Sequence, residues 1–374
     1  MAQGQVAVVL FQLGGPDTLE AIEPFLYNLF CDPDIIDFPF ARLGRRPLAK
    51  LISTTRARKV EQHYAVIGGG SPIRRFTEQQ ARALETHLNE IGIPARCFVA
   101  MRYWHPLTAD TVAELAHEPW DDIVLLPLYP QYSSTTTGSS LNEWARCWNG
   151  IASGAKAQSD GDRKGAVETA PFQNNSVAGG SPSFSGIPVH VVKEFYRHPL
   201  YLDALVERIE QTLARFPAPQ EAMLVFSAHS VPVSVIERGD PYQRHVEETV
   251  RLVMERGGWT NPHRLCYQSK VGASKWLQPS LRNTVRELGE SVVKQVCVVP
   301  VSFVSDHVET LGEIDHEARE QAERLGIGQF EMVPGLNDSP QFIGALGDLV
   351  MQTIQNARLE MQNEEADGRL VAAD

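Results

Sequence analysis

The chain has 374 residues, enough for two domains of about 150 residues or one large α/β unit with a buried core. Its 34 Lys and Arg residues against 46 Asp and Glu residues give a net charge of −12, so we expect no nucleic-acid partner. Hydrophobic residues make up 43% and charged residues 21%, which excludes a chain that is disordered or fibrous throughout.

Short β-rich segments alternate with long amphipathic segments along the chain. We predict strands at 6–11, 96–101, 122–128, 189–192, 222–227, 264–268, 293–304 and 329–333. We predict helices at 18–30, 200–215, 241–256, 278–288, 307–325 and 339–359. Because strands that alternate with helices form parallel sheets, the pattern indicates an α/β fold.

The segment 151–187 separates two series of predicted elements. It is rich in Gly, Ser, Ala, Asp and Asn and lacks apolar periodicity, as in a flexible insertion or linker. We therefore place an N-terminal domain at 1–150 and a C-terminal domain at 188–338. The remaining 339–374 is predicted as a helix that packs back on the body, with a polar, frayed tail after Leu359. Two successive α/β halves are also consistent with a remote duplication.

Neither membrane spans nor disulfides are expected. The apolar stretch 296–304 is interrupted by Pro300 and Ser302 and is shorter than the ~18 residues of a span. The N-terminus lacks the pattern of a secretory signal, so we expect a cytoplasmic location, with peripheral attachment as the form of membrane contact left open. Five cysteines without CxxC spacing are expected to be reduced packing residues, namely Cys31, Cys97, Cys147, Cys266 and Cys297.

Two glycine-rich segments, 14–16 and 68–72, have the composition of phosphate-binding loops. Neither has the full GxGxxG spacing or a following Lys-Ser/Thr, so ordinary turns are the favoured interpretation. A nucleotide-dependent oxidoreductase is therefore the weaker functional alternative.

Aromatic residues follow two neighbouring predicted strands. Tyr103 and Trp104 follow the second strand, and Tyr129 follows the third. Ligands of open parallel sheets gather beyond the carboxyl ends of the strands, so these residues suggest a broad, flat, apolar ligand unless they pack in the core. Arg102, at the same strand end, could pair with a carboxylate of that ligand or close a structural salt bridge.

One imidazole stands at the end of the predicted strand 222–227. His229 lies between small residues that leave it accessible. A histidine in this position can accept a proton near neutral pH or bind a metal, or it can be a hydrogen-bonded structural residue.

Carboxylates cluster where the helix at 307–325 is predicted to begin. Asp306 and Glu309 fit a capping box. Glu309, Glu313 and Glu317 are spaced by four and form a row on one helical face, which is either solvated or a path for a divalent cation. His307 and Glu309 are two residues apart and are expected to point to different sides of the helix, so a tight zinc site is not expected. One imidazole and one carboxylate suit a protein that releases its metal.

Several motifs in order resemble those of the ferrochelatases, the enzymes that insert ferrous iron into a porphyrin at the end of haem synthesis. They are 13–16 with 23–30, 68–73, 129–133 with 137–140, 226–230, 268–272 with Trp276 and Leu277, and 302–311. The resemblance implies two doubly wound, Rossmann-like parallel-sheet domains with the active-site cleft between them.

The resemblance also implies roles for individual residues. His229 and Glu309 are expected to form the catalytic pair, which contacts the metal and accepts protons, and Glu313 is expected to be a further metal contact. The apolar segment 25–30 resembles the lip of the porphyrin pocket. Positions expected to bind the substrate are Leu13, Arg102, Tyr103, Trp276 and His307.

The implied enzyme is a lyase that acts on protoporphyrin IX and ferrous iron, with haem-acceptor proteins as further partners. Ser134 stands where cluster-bearing relatives have a cysteine, so we expect no iron–sulfur cluster and no other cofactor. The insertion 151–187 is unusual for the family. A non-catalytic tetrapyrrole carrier is the other alternative, and it would need neither His229 nor the carboxylate row.

Overall fold

Eight strands form two parallel sheets in the computed structural model, which describes residues 4–34, 41–152, 187–270 and 274–371. The strands are β1 Val6–Gln12, β2 Ala95–Met101, β3 Asp122–Pro127, β4 Val189–Val191, β5 Met223–His229, β6 His263–Gln268, β7 Gln295–Pro300 and β8 Gln329–Met332. Each predicted strand overlaps one of these, because runs of β-branched and aromatic residues mark buried parallel strands clearly.

The helices surround these sheets. They are α1 Ile22–Cys31, α2 Ala41–Val66, α3 Ile73–Glu90, α4 Thr108–Leu115, α5 Ser139–Ala152, α6 Pro199–Leu213, α7 Val233–Glu237, α8 Tyr242–Gly257, α9 Leu281–Glu290, α10 Arg319–Arg324 and α11 Pro340–Val371. A π-helix, Glu309–Ala318, runs directly into α10. The predicted helix at 307–325 therefore covers the right residues but is mostly of another type. Helices α2 to α5 and α7 are not predicted from the sequence.

The two sheets have the same topology. Their strand orders are β2-β1-β3-β4 and β6-β5-β7-β8, so each half follows the order 2-1-3-4. All strand pairs are parallel. The predicted α/β fold with two parallel sheets is confirmed, and the shared order is what a duplication would leave.

The predicted domain boundary is wrong by one strand. The sequence pattern assigns 188–338 to the second half, but β4 pairs with β3 and completes the first sheet. The insertion therefore interrupts the connection between α5 and β4 rather than joining the halves. Alternation of strands and helices along the chain does not reveal which sheet a strand joins. Most of the insertion, 153–186, lies outside the described residues.

Both faces of each sheet are covered, as a doubly wound fold requires. Leu10 of β1 and Phe226 of β5 belong to one core that lies between the sheets. Phe11, on the opposite face of β1, packs edge-on against Trp144 of α5 with ring centroids 5.8 Å apart. Val225 faces a third core under the π-helix. Side chains fill the space between the sheets, so the carboxyl ends of the strands are the place where a ligand is expected.

Helix α11 packs back on the body, as predicted. His198 Nε2 lies 2.9 Å from Asp348 Oδ2, and the ring of His87 contacts the helix at Gly347. The helix extends to Val371, twelve residues beyond the predicted helical span 339–359, and the predicted fraying of the tail stays a prediction. Among the described residues, no helix has both the length and the apolar content needed to cross a bilayer.

The two glycine-rich segments pack against each other, which explains their composition. Ser71 N donates to Pro16 O over 2.7 Å. A Cβ atom added at Gly15 would lie 2.8 Å from the Ser71 side chain, and one at Gly70 would lie 2.2 Å from Asp17 O. The glycines allow close approach of two backbones, so the interpretation as turns is supported over a phosphate-binding loop.

We expect Gly70→Ala to destabilise the protein by about 1–3 kcal/mol, because the added methyl group overlaps the backbone at Asp17. The matched control is Gly44→Ala in α2, where a Cβ atom meets nothing within 4 Å. This control should leave the free energy of unfolding unchanged or raise it by up to about 1 kcal/mol, because alanine favours a helix more than glycine does. Denaturant titration measures both, and equal midpoints would contradict the packing argument.

Candidate active site

His229 is the last residue of β5, and its backbone is fixed on both sides. His229 N donates to Ser302 Oγ over 2.8 Å, and the hydroxyl of Tyr242 donates to His229 O over 2.9 Å. The side chain keeps 34% of its surface exposed. The imidazole is therefore held rigidly at the mouth of the sheet and remains accessible to a ligand.

Glu309 begins the π-helix that follows β7. Because β5 and β7 are parallel neighbours, their carboxyl ends meet, and Glu309 Oε2 lies 2.8 Å from His229 Nδ1. Gln268 Nε2 donates to Glu309 O over 3.1 Å and holds the start of the helix. The Glu309 side chain is 21% exposed. The structure thus brings these two distant side chains into direct contact.

His307 lies on the other side of the same carboxylate. Its Nε2 is 3.8 Å from Glu309 Oε2. Its Nδ1 is 3.1 Å from Ser305 O, and since a carbonyl only accepts, Nδ1 carries the proton. The prediction that His307 and Glu309 point apart is wrong, because His307 precedes the helix and helical periodicity does not apply to it.

The capping-box interpretation of Asp306 is also wrong. Its carboxylate accepts hydrogen bonds from Gly335 N at 3.0 Å, Asn337 Nδ2 at 2.9 Å and Thr310 Oγ1 at 3.2 Å. Asp306 is thus a buried structural residue that ties the helix start to the segment after β8. Glu309 remains available to pair with His229.

The His229–Glu309 pair is electrostatically polarised. Burial alone lowers the pKa of His229, but the Glu309 carboxylate outweighs burial, and the pKa of His229 is raised above its ordinary value. Burial likewise raises the pKa of Glu309, but His229 and His307 together hold that pKa well below its ordinary value. Below the raised pKa of His229 the pair is therefore an imidazolium–carboxylate ion pair, and above it the imidazole is neutral and can accept a proton.

The carboxylate row extends from this pair to the surface. Burial, together with the neighbouring Glu309, raises the pKa of Glu313 to about 7. Ser269 Oγ donates to Glu313 Oε2 over 2.6 Å. At the outer end, Glu317 Oε1 lies 3.3 Å from His63 Nε2 of α2. In the described ranges, no three His, Cys, Asp or Glu side chains are arranged to hold a metal ion together.

An apolar cluster from the first half borders the site. Phe25, Leu26 and Tyr64 pack with one another in it, and Val308, the neighbour of Glu309, packs against it. Burial raises the pKa of Tyr64, and the nearby Glu309 and Glu313 raise it further. The predicted lip at 25–30 therefore lies beside the polar residues of the second half.

The predicted substrate-binding residues fall into two groups. Leu13 borders the lip cluster, and Trp276 forms a bridge with Pro232 beside the segment that follows His229. The side chain of Arg102 instead is only 8% exposed, and its Nη2 lies 2.9 Å from Asp32 Oδ2. Tyr103 is buried, and its hydroxyl donates to the same carboxylate. The structure thus favours the salt bridge for Arg102 and core packing for Tyr103.

The sequence analysis assigns no role to several residues that shape the site. Tyr242 fixes the His229 backbone, Gln268 fixes Glu309, and Ser269 binds Glu313. Phe303 places its ring 6.1 Å from that of His229. The motif at 268–272 is a signal for Gln268 and Ser269. Tyr242 has none, because its contact depends on how α8 packs.

Comparison with known proteins identifies the family. The ferrochelatase family model matches residues 5–159 and 173–354. The ferrochelatase of Synechococcus elongatus is 45% identical over 361 residues, which cover 96% of this chain and 85% of that protein. The ferrochelatase of Nostoc punctiforme is 43% identical over 359 residues, with 96% and 84% coverage. That of Thermosynechococcus vestitus is 45% identical over 351 residues, with 94% and 82% coverage. The chain therefore belongs to the ferrochelatase family.

Proposed function

We propose that His229 and Glu309 accept the protons that leave protoporphyrin IX when this chain inserts Fe²⁺ into it. As a ferrochelatase the chain is a lyase of haem biosynthesis, and its substrates are a porphyrin and iron. The observation that carries the proposed roles is the 2.8 Å contact between His229 Nδ1 and Glu309 Oε2 beside the apolar lip.

The stoichiometry of the reaction requires proton acceptors. Each Fe²⁺ replaces two pyrrole N–H protons, so two protons have to leave the macrocycle. Glu309 lies between the imidazoles of His229 and His307, which together offer two basic nitrogens around one carboxylate. A side chain whose pKa lies near the working pH exchanges protons most efficiently, and Glu313, with a pKa of about 7, is suited to pass them on to water.

The carboxylate row also offers a route for the metal. Glu309 and Glu313 carry oxygen ligands, and His229 supplies a nitrogen, the mixture that Fe²⁺ accepts. We assign Glu313 to the delivery of metal and the His229–Glu309 pair to its last contact before insertion. The apolar lip supplies the energy that binds the flat macrocycle.

The alternatives lack support. A carrier has no need for a polarised His229–Glu309 pair. The glycine loops that could suggest an oxidoreductase are packed against each other, which leaves no room for a phosphate group.

We also propose that the chain carries no iron–sulfur cluster. Burial raises the pKa of Cys266 and Cys297 to about 12, which disfavours the thiolates that bind iron. Iron and acid-labile sulfide in the purified protein would refute this.

Location and further partners are proposals as well. We propose a cytoplasmic location, which suits five free cysteines. Exposed Leu48 and Leu51 flank Lys50 on α2, as in helices that contact anionic membrane surfaces. We propose peripheral membrane contact through this helix and release of the product to haem-acceptor proteins. Failure to float with anionic vesicles would contradict the membrane contact.

Absorbance tests the function directly. Anaerobic mixing of protein, protoporphyrin IX and Fe²⁺ should convert the free-base spectrum to that of the metalloporphyrin, whereas a carrier would only shift the free-base bands. His229→Ala should lower the rate by about 100-fold or more, because a positioned proton acceptor is lost. Porphyrin affinity, read from fluorescence quenching, should stay within about twofold. Exposed His316→Ala is the control, and full activity of His229→Ala would remove His229 from the mechanism.

The pKa of His229 should fall below its ordinary value in Glu309→Gln. The carboxylate that raises the pKa is removed, while burial, which favours the neutral imidazole, remains. In the unsubstituted protein His229 accepts a proton only when neutral, so activity should rise as pH increases through its raised pKa. Histidine NMR titration measures the shift, with His316 as internal control. An unchanged pKa would refute the electrostatic account.

Glu313→Gln should raise the apparent KM for the metal by roughly tenfold and leave porphyrin affinity unchanged, because one anionic ligand of the row is neutralised. Glu323→Gln, on the exposed face of α10, is the matched control. Initial rates at varied Fe²⁺ or Zn²⁺ separate KM from kcat. If both variants keep the parent KM, the row is only a solvated face.

A further inference from the structure

Gln80 connects the two halves directly behind the active site. It lies on α3 in the first half and is 0% exposed. Its Nε2 donates to Ser305 Oγ over 3.0 Å and to Asn337 O over 2.8 Å, both in the second half. The two amide protons are therefore both used, and each reaches across the interface.

The partners of Gln80 hold the segment that carries the acid–base residues. Ser305 O accepts the hydrogen bond from His307 Nδ1 that sets the orientation of the imidazole. Asn337 Oδ1 accepts from Asp306 N over 3.0 Å, and its Nδ2 donates to Asp306 Oδ2. Asn337 adopts a left-handed conformation with φ of 48°, which asparagine tolerates better than most residues. The two residues that precede His307 are thus fixed by Gln80 and by Asn337, which binds Gln80.

We propose that Gln80 is a positioning residue for the chelatase reaction. From the half that carries the lip, it fixes Ser305 and, through Asn337, Asp306, so that the chain that follows places His307 and His229 on either side of Glu309. The proposal rests on the proposed function of these three residues. Gln80 touches none of the reacting atoms and acts through Ser305 and Asn337.

Positioning matters here because proton transfer tolerates little displacement of the groups that take part in it. An error of about 1 Å in the position of a catalytic group can cost about 100-fold in rate. The first half binds the flat macrocycle through the lip, whereas the second half carries the bases. A buried hydrogen bond between the halves, unlike apolar packing, defines their relative position by direction as well as distance.

Gln131 provides a matched control. It is 2% exposed, lies in the first half, and donates through Nε2 to Thr249 Oγ1 over 3.1 Å and to Val301 O over 3.2 Å. The pattern of one hydroxyl and one carbonyl across the interface is the same as at Gln80. Its partners do not hold His307, so Gln131→Leu loses the bonds without the predicted effect on the site.

The experiment compares Gln80→Leu with Gln131→Leu in the full chain. Both should lose stability in thermal unfolding, and Gln80→Leu should lose more. It leaves Ser305 Oγ and Asn337 O unpaired, whereas after Gln131→Leu the hydroxyl of Thr249 still donates to His245 O and Val301 O still accepts from Tyr201. Only Gln80→Leu should lower kcat, by about tenfold, with porphyrin affinity within twofold of the parent. In ¹⁵N-histidine-labelled protein, the Nδ1–H signal of His307, assigned with His307→Gln, should shift or broaden only in Gln80→Leu. Gln80→Asn keeps an amide on a shorter side chain, so its kcat should lie between those of the parent and of Gln80→Leu. It replaces the leucine variant in the comparison if that variant does not fold.

Equal losses of kcat in the two leucine variants would overturn the proposal. An unchanged His307 signal in Gln80→Leu would do so as well. The imidazole signal of His307 is read in the protein without substrates, so it tests the positioning role independently of activity. A parent protein that inserts no metal would contradict the proposed function, not the positioning role.

Discussion

The site depends on one contact, the ion pair between His229 and Glu309, which the parallel pairing of β5 and β7 makes available. The two residues are 80 positions apart in the chain. Their strands are neighbours with the same direction, so both side chains emerge at one edge of the sheet. In this partly buried position each charge stabilises the other against desolvation, which keeps a carboxylate ionised beside an apolar lip.

The two halves share a topology but divide the chemistry between them. The first sheet supports the lip cluster around Phe25 and Leu26, and its own strand end is closed by the ion pair of Arg102 with Asp32. The second sheet supports the imidazoles and the carboxylate row. A core that spans both sheets joins the halves, and Gln80 adds a directional contact near the bases. Two halves of the same topology thus place an apolar cluster beside a group of imidazoles and carboxylates.

Much of the fold can be predicted from the sequence, because buried parallel strands are short apolar runs with clear ends. The sheet to which β4 belongs could not be predicted, since it depends on pairing across a long insertion. Helix α2 escapes prediction because charged residues and Pro47 obscure its apolar stripe. The π-helix escapes prediction as well, because its hydrogen-bond pattern leaves no distinct spacing of apolar residues.

The candidate site is predictable in its members but not in its geometry. His229 and Glu309 follow from their places at strand ends and from the family motifs. The contact of His307 with Glu309 depends on an irregular turn, and the low exposure of the Arg102 side chain depends on Asp32 from a distant loop.

A crystal structure with free-base protoporphyrin IX tests the account most directly. The account predicts the macrocycle between the lip and His229, with the imidazole facing the pyrrole nitrogens. A macrocycle bound elsewhere, with the His229–Glu309 pair still open to solvent, would contradict it.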